Sequence, residues 1–273
     1  MRWCAIVGVL TGLLAGCDRA EPEDAELSAE NLAEVYQLSP LPELPPSPTN
    51  AHADDPAAAA FGQRLFYDKR LSANGEISCA TCHDPAKGFS DGKPLAEGLG
   101  GVPRHTNALW NVGHQRWFFW DGRADSLWAQ SLQPLQSEVE MGATPGLVRE
   151  VLAGDGRLKG EYEGLFGSLP TEGADLNRLL ANLGKSFEAY QRRIISEDAR
   201  FDRFVAKLRE GEAPERAGLS AEELRGLKIF VGKGKCILCH AGPNFTDGEF
   251  HNIGLPKHPE LRKDSGRFEG GRL

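Results

Sequence analysis

Two short runs constrain this chain more than anything else in it: Cys79-Ala-Thr-Cys82-His83 and Cys236-Ile-Leu-Cys239-His240. Cys-x-x-Cys-His is the attachment pattern of a c-type haem, with both thiols bonded covalently and the histidine as an axial ligand. A zinc site or a thiol–disulfide redox pair would have to explain the adjacent histidine twice. The other two of the six cysteines, Cys4 and Cys17, lie in the N-terminal apolar segment, so none is left for a structural disulfide. The reading is two covalently bound haem c groups, held by Cys79, Cys82 and His83 and by Cys236, Cys239 and His240.

Export agrees with that reading, because c-type haem is attached outside the bacterial cytoplasm. The segment "MRWCAIVGVLTGLLAGCDRA" has an early arginine, a short apolar run and small residues before Cys17. It is too short for a membrane span and reads as a secretory signal over residues 1–17. "LAGC" at Leu14–Cys17 resembles a bacterial lipobox, which predicts a periplasmic protein anchored to a membrane by a lipid on Cys17; the alternative is an ordinary signal cut a few residues later. Residues 18–50 begin acidic and end in "QLSPLPELPPSPTN", whose five prolines predict an extended spacer. A short helix over Ser28–Tyr36, capped by Ser28, is expected within it.

Beyond Ala51 the pattern is helical. "PAAAAFGQRLFYDKRLS" turns Phe61, Leu65 and Phe66 to one side, and "ATPGLVREVLAG" offers Thr144 as N-cap with Pro145 at the first helical position. In "DLNRLLANLGKSFEAYQRRI" the stripe of Leu176, Leu179, Leu180, Leu183, Phe187, Tyr190 and Ile194 recurs every three or four residues. "LSAEELRGLKIF" carries a capping box, Ser220 with Glu223. With no sustained alternating pattern, the fold class expected is all-α with long loops, arranged as two cytochrome c-like haem domains. The N-terminal one takes residues 51–205, a linker follows at 206–218, and the C-terminal one takes 219–273. A formal charge of −8 excludes a nucleic-acid partner and suits a basic protein such as a small cytochrome.

Three long stretches carry a family resemblance: "FGQRLFYDKRLSANGEISCATCHDPAKGFSDG", "RHTNALWNVGHQRWFFWDGRADSLWAQSLQPLQSEVEMG" and "CILCHAGPNFTDGEFHNIG". From about Ala57 onward the chain resembles the bacterial di-haem cytochrome c peroxidases and their MauG-type relatives. The resemblance implies reduction of hydrogen peroxide at the first haem, with electrons from an external donor, a small cytochrome c or a cupredoxin, received at the second. It implies that Gln130 and Glu140 line the distal pocket, and a pocket carboxylate can carry the proton that peroxide heterolysis requires. Glu138 is assigned to solvent. Trp120 matches the tryptophan that lies between the haems, Trp110, Trp117 and Trp128 are read as packing, and Asp121 and Arg123 as fixing the loop. Family members are often dimers, so a homodimer is expected.

The sequence departs from the pattern in three places. Leu99 stands where many of these peroxidases have a histidine that blocks the peroxidatic iron, which favours a MauG-type oxidant acting on a partner protein as the second reading. His105 and His114, the nearest substitutes, are read as structural or exposed. Calcium between the domains is held in the family beside an Asn–Arg pair; here Arg104 is followed by His105, with Asn107 two positions on. The sixth ligand of the second haem, a Met or Tyr in the family, has no counterpart after "FHNIG", where only His251 and His258 offer strong ligands. The expectation is therefore a second haem domain cut short at its C-terminus. The third reading is a non-catalytic electron-transfer di-haem cytochrome.

Overall fold

The structure is a computed structural model that describes residues 26–171, 173, 175–256, 259 and 264–270. The expected leader, with Cys17, lies outside these residues, as does His258. Ten α-helices lie among the described residues, in order α1 (Ala29–Val35), α2 (Pro56–Phe66), α3 (Cys79–Cys82), α4 (Leu127–Gln136), α5 (Pro145–Gly154), α6 (Gly156–Phe166), α7 (Asp175–Gln191), α8 (Arg200–Arg209), α9 (Ala221–Val231) and α10 (Arg267–Gly270). Among the described residues, extended pairing is confined to isolated bridges, so the fold is all-α.

Helix α7 is the axis of the larger core. Its stripe buries Leu179, Leu183 and Phe187 almost completely, and the adjoining helices supply Phe61, Leu65, Leu135, Val148, Leu152 and Tyr162 to the same cluster. Two glycines let neighbours come close. A Cβ on Gly62 would stand 1.9 Å from the Ser186 carbonyl oxygen, and one on Gly184 would stand 2.6 Å from that of Trp128. Helices α2 and α4 thus rest on α7 backbone to backbone, which only a missing side chain permits. The start of α5 follows from its first residues: Thr144 accepts a hydrogen bond from the Leu147 amide, and Pro145 occupies the first turn. Inside the core the Asn182 amide donates to the Tyr162 hydroxyl at 2.9 Å, so that buried polar pair is satisfied.

A smaller cluster joins α1, α8 and α9 through Val35, Leu38, Phe204, Val205, Leu208, Leu224 and Val231. The capping box of Ser220 and Glu223 starts α9 with both reciprocal bonds made. Two expectations change here. The proline-rich segment is no free spacer between Leu27 and Asn50. Leu27, Val35 and Leu38 are buried, Arg192 donates to the Pro45 carbonyl at 2.9 Å, and Asn50 donates to Glu188 at 3.0 Å. The buried Arg192 takes up a proline carbonyl, and Asn50 ties the end of the segment to α7. The linker expected from residue 206 also begins inside a helix, since α8 runs unbroken to Arg209 and packs with the smaller cluster.

Candidate functional site

Helix α3 is the first Cys-x-x-Cys turn itself. Ser78 and Thr81 close its start, the Ser78 amide donating to Thr81 Oγ1 at 3.0 Å. The His83 amide donates to the Cys79 carbonyl at 2.8 Å and ends it. His83 Nδ1 lies 3.0 Å from the carbonyl oxygen of Phe89. When Nδ1–H donates to that carbonyl, Nε2 holds the lone pair that a metal needs. Burial lowers the pKa of His83 against the pull of the Phe89 and Asn107 backbones, so the ring is neutral and able to ligate.

The second motif repeats this arrangement. His240 Nδ1 lies 3.1 Å from the Phe245 carbonyl. Phe89 and Phe245 both adopt left-handed backbone, at φ 59° and 53°. A phenylalanine from the preceding helix stands beside each imidazole, Phe66 at 6.4 Å from His83 and Phe230 at 6.4 Å from His240, ring centre to ring centre. Each motif is followed by the same Phe-(Ser/Thr)-Asp-Gly turn, at Phe89–Gly92 and Phe245–Gly248. In each turn the hydroxyl accepts from the glycine amide and the aspartate accepts from the next one. Sequence reasoning missed the carbonyls of Phe89 and Phe245 as the groups that orient the ligands. The repeated "GFSDG" and "NFTDG" was the signal available for them.

The surroundings of the two motifs differ. Beside the first, a cavity of about 610 Å³ is walled by Cys79, Cys82, His83, Phe66, Met141 and Phe187 and opens past Arg104 and Trp120. Its size is in the range that encloses a bound small molecule or cofactor. Burial pushes the Cys79 thiol up to about 12. Cys82 is raised chiefly by burial, with Asp91 and Glu140 adding to it. All four motif thiols are free of disulfides. Apolar walls, two free thiols and a neutral imidazole fit a covalently attached haem. At the second motif Cys236 and His240 are exposed, and Leu238, Phe245, Phe250, Ile253 and Leu255 show large apolar surface. Its donor set fits the same group, on a face that is exposed among the described residues.

Gln130 and Glu140 both line the first cavity. Gln130 comes from α4, and the chain turns back after Gln136, with the Met141 amide on the Pro134 carbonyl at 3.2 Å. The loop around Leu99 grips that return, since the Leu99 amide donates to the Glu140 carbonyl at 3.0 Å and Gly100 to that of Val139 at 2.9 Å. A Cβ on Gly98 would come within 2.6 Å of the Glu140 Cα, so the contact needs a glycine. The Leu99 side chain turns toward Gly142 and is not on the cavity wall. Glu138 is exposed and off the wall. His105 lines the cavity but is exposed, with Nδ1 3.3 Å from the Lys93 carbonyl, and His114 is not on the wall.

Trp120 stands at the mouth, 63% exposed, with the Arg104 guanidinium 5.2 Å from its ring centre. Arg104 donates to Asp264 through two nitrogens, both at 2.8 Å, and to Asp121 at 2.7 Å. Arg123 joins Asp121 at 3.0 Å. Burial alone would raise Asp121, but the arginines outweigh it and hold its carboxyl below the usual range. Arg267 donates to the Asp121 and Gly122 carbonyls, so the segment 264–267 clamps the Trp120 loop. This clasp between distant parts of the chain left no mark in the sequence. Trp128 donates to Thr49 at 2.9 Å, Trp110 packs edge-on against Phe89, and Trp117 lies under Arg267. His251 pairs with Asp247 at 2.8 Å. The six predicted residues Cys79, Cys82, His83, Trp120, Gln130 and Glu140 therefore share one cavity, while Cys236, Cys239 and His240 lie off it.

An all-α scaffold with two such motifs, each histidine tethered at Nδ1 to a backbone carbonyl, is that of a c-type cytochrome with more than one haem. The family described as di-haem cytochrome c peroxidase matches residues 56–210, and the chain belongs to that family. It is 34% identical over 270 residues to the methylamine utilization protein MauG of Methylorubrum extorquens, covering 98% of this chain and 72% of that protein. It is 37% identical over 235 residues to the cytochrome-c peroxidase IdrP1 of Denitromonas iodatirespirans, covering 84% of this chain and 58% of that one. The crystal structure of the diheme peroxidase BthA from Burkholderia thailandensis superposes with a TM-score of 0.69 at 28% identity, covering 80% of this chain and 61% of that chain. The chain thus spans between about three fifths and three quarters of the length of these relatives. Two covalently bound haem c groups come with membership of this family of periplasmic oxidoreductases.

Proposed function

We propose that the full-length protein reduces hydrogen peroxide to water at the haem held by Cys79, Cys82 and His83, with electrons from an external donor such as a small cytochrome c or a cupredoxin. The observation that supports it best is the meeting of Gln130 and Glu140 with these three residues in one cavity. The haem supplies the redox chemistry and the binding position for peroxide. Glu140 takes the proton from one peroxide oxygen and delivers it to the other, and Gln130 orients the peroxide by hydrogen bonding. His83, held neutral and oriented by Phe89, would ligate the haem iron. Cys236, Cys239 and His240 would hold the second haem, whose chemistry is electron entry, and Trp120 would relay electrons between the two sites. The two haem-bearing halves act as two domains. The lipid anchor at Cys17 and the homodimer belong to the same reading; the calcium site rests on the family pattern alone.

Mixing the di-haem protein with peroxide tests this. The absorption spectrum should change on addition, and peroxide should turn over with a reduced cytochrome c. A spectrum indifferent to peroxide would leave the protein an electron carrier. The position of Leu99 off the cavity wall favours a second reading, a MauG-type oxidant of a partner protein. A spectral response to peroxide with no turnover of the cytochrome would favour that one.

A further inference from the structure

On the far side of Phe66 the structure carries a group that the peroxide chemistry does not use. Phe66 lies 6.4 Å from His83, and its ring meets Tyr190 at 5.1 Å and Tyr67 at 5.4 Å, both edge-on. The two phenol oxygens are 3.4 Å apart. Tyr190 is 8% exposed and Tyr67 45%, so a continuous aromatic path runs from the ligand histidine to the surface. The corresponding neighbours of His240 are Phe230, Phe245 and Phe201. Phenylalanine has no O–H to lose, and among the described residues the ring contacts lead to phenols from the first motif and to phenylalanines from the second.

Tyr67 does not end in open solvent. It forms part of the wall of a second cavity of about 490 Å³, where Arg64, Lys69, Arg70 and Arg157 outnumber Asp68 and Asp155. Glu161 pairs with both Arg64 and Arg157, and Arg70 bridges Asp68 and Asp155. Four cations against three carboxylates leave the cleft one positive charge in excess, in a chain of charge −8, and positive clefts concentrate anions.

Resting on the peroxidase reading, we propose that this cleft is a second substrate site, where Tyr67 mediates one-electron oxidation of small, anionic, electron-rich aromatics such as a hydroquinone sulfonate. Tyr67 would give up one electron by way of Phe66 and His83 toward the haem these residues would hold, which supplies the oxidising equivalents drawn from peroxide. The Tyr67 O–H bond breaks, and its proton goes to water in the cleft while Tyr190 donates a hydrogen bond to the phenoxyl oxygen. The aromatic reductant then gives one electron and one proton to Tyr67 and leaves as its radical. Two such events consume one peroxide, two reductant molecules yielding two radicals and two waters.

The test uses the di-haem protein, with hydroquinone sulfonate and a reduced cytochrome c as alternative donors. Tyr67→Phe should cut turnover of the sulfonate by at least about tenfold and leave the cytochrome-dependent rate within about twofold. With peroxide alone, rapid-freeze electron paramagnetic resonance should show a tyrosyl signal that Tyr67→Phe removes. Spin-trap labelling read by mass spectrometry should fall on Tyr67. Cytochrome turnover with neither the signal nor a loss of sulfonate oxidation in the variant overturns this proposal alone. Absence of peroxide consumption with every reductant overturns the peroxidase reading and this one with it.

Discussion

Replacing Gly62 by alanine tests the geometry that sets the first haem site. On helix propensity alone the change should stabilise α2 by about 1 kcal/mol. The structure reverses the sign. The new Cβ would sit 1.9 Å from the Ser186 carbonyl oxygen and 2.5 Å from its carbon. Both are backbone atoms of α7, which cannot swing aside as a side chain can. To reach the 3.0 Å floor of real Cβ contacts, α2 and α7 must part by about 1 Å. A gap of that size costs the facing atoms up to about half their dispersion energy, and Phe61, Leu65 and Phe66 face Leu183, Phe187 and Tyr190 in this core. Overpacking of this kind costs about 1–3 kcal/mol. Because the contact is backbone on backbone, we expect the upper end, for a net loss of about 2 kcal/mol after the propensity gain. The melting temperature of the di-haem protein should fall by roughly 4–8 °C. Gly160, exposed on α6 with nothing within 4 Å of its added Cβ, is the control. There alanine should stabilise by about 0.5–1 kcal/mol. Thermal unfolding followed by circular dichroism measures both. If Gly62→Ala matches or exceeds the stability of Gly160→Ala, the close crossing of α2 and α7 is wrong, and with it the placing of Phe66 beside His83.

Glu140→Gln should slow the peroxide step by roughly 10²–10⁴-fold while both haems stay attached, as read by stopped-flow absorption; an unchanged rate removes Glu140 from proton transfer. Changing Cys236 and Cys239 together to alanine should halve the covalently bound haem measured by mass and by pyridine haemochrome, because each motif holds its own group. Asp264 is held below its usual pKa first by the hydrogen bonds of Arg104 and then by the Gly266 amide, with burial opposing them. A carboxyl depressed in the folded state stabilises above its unfolded pKa of about 4, and that stability is lost as pH falls through the lower folded value. Denaturant titration should therefore find Asp264→Asn weaker than the parent at pH 7, with the gap closing toward about pH 2; a gap that does not shrink in acid would count against the Arg104–Asp264 clasp.

The sequence was most legible where chemistry or periodicity is local. The two Cys-x-x-Cys-His runs name their own cofactor, the α7 stripe announces its buried face, and Thr144–Pro145 and Ser220–Glu223 state where α5 and α9 begin. The ten-residue step from Gln130 to Glu140 became informative only through family resemblance, since a glutamate in an acidic chain is by default a solvated charge. Illegible were relations between residues far apart in the chain. Nothing near Gly62 or Gly184 reveals that each faces a carbonyl of another helix. Proline spacing predicted a free spacer because propensity describes the isolated chain, while Arg192 and Glu188, which hold that segment down, lie more than a hundred residues away.

By itself, the sequence determined the covalent chemistry: four thiols and two histidines in motifs that fix two haem groups, on a helical chain. Tertiary structure alone decided which side chains those groups meet. It encloses His83 with Glu140 and Gln130 in a cavity while His240 stands exposed among the described residues, and it leads from Phe66 to a buried phenol, Tyr190, and an exposed one, Tyr67. Bonding patterns are written in consecutive residues, and a pocket is made by backbone close approaches between segments that no local pattern encodes.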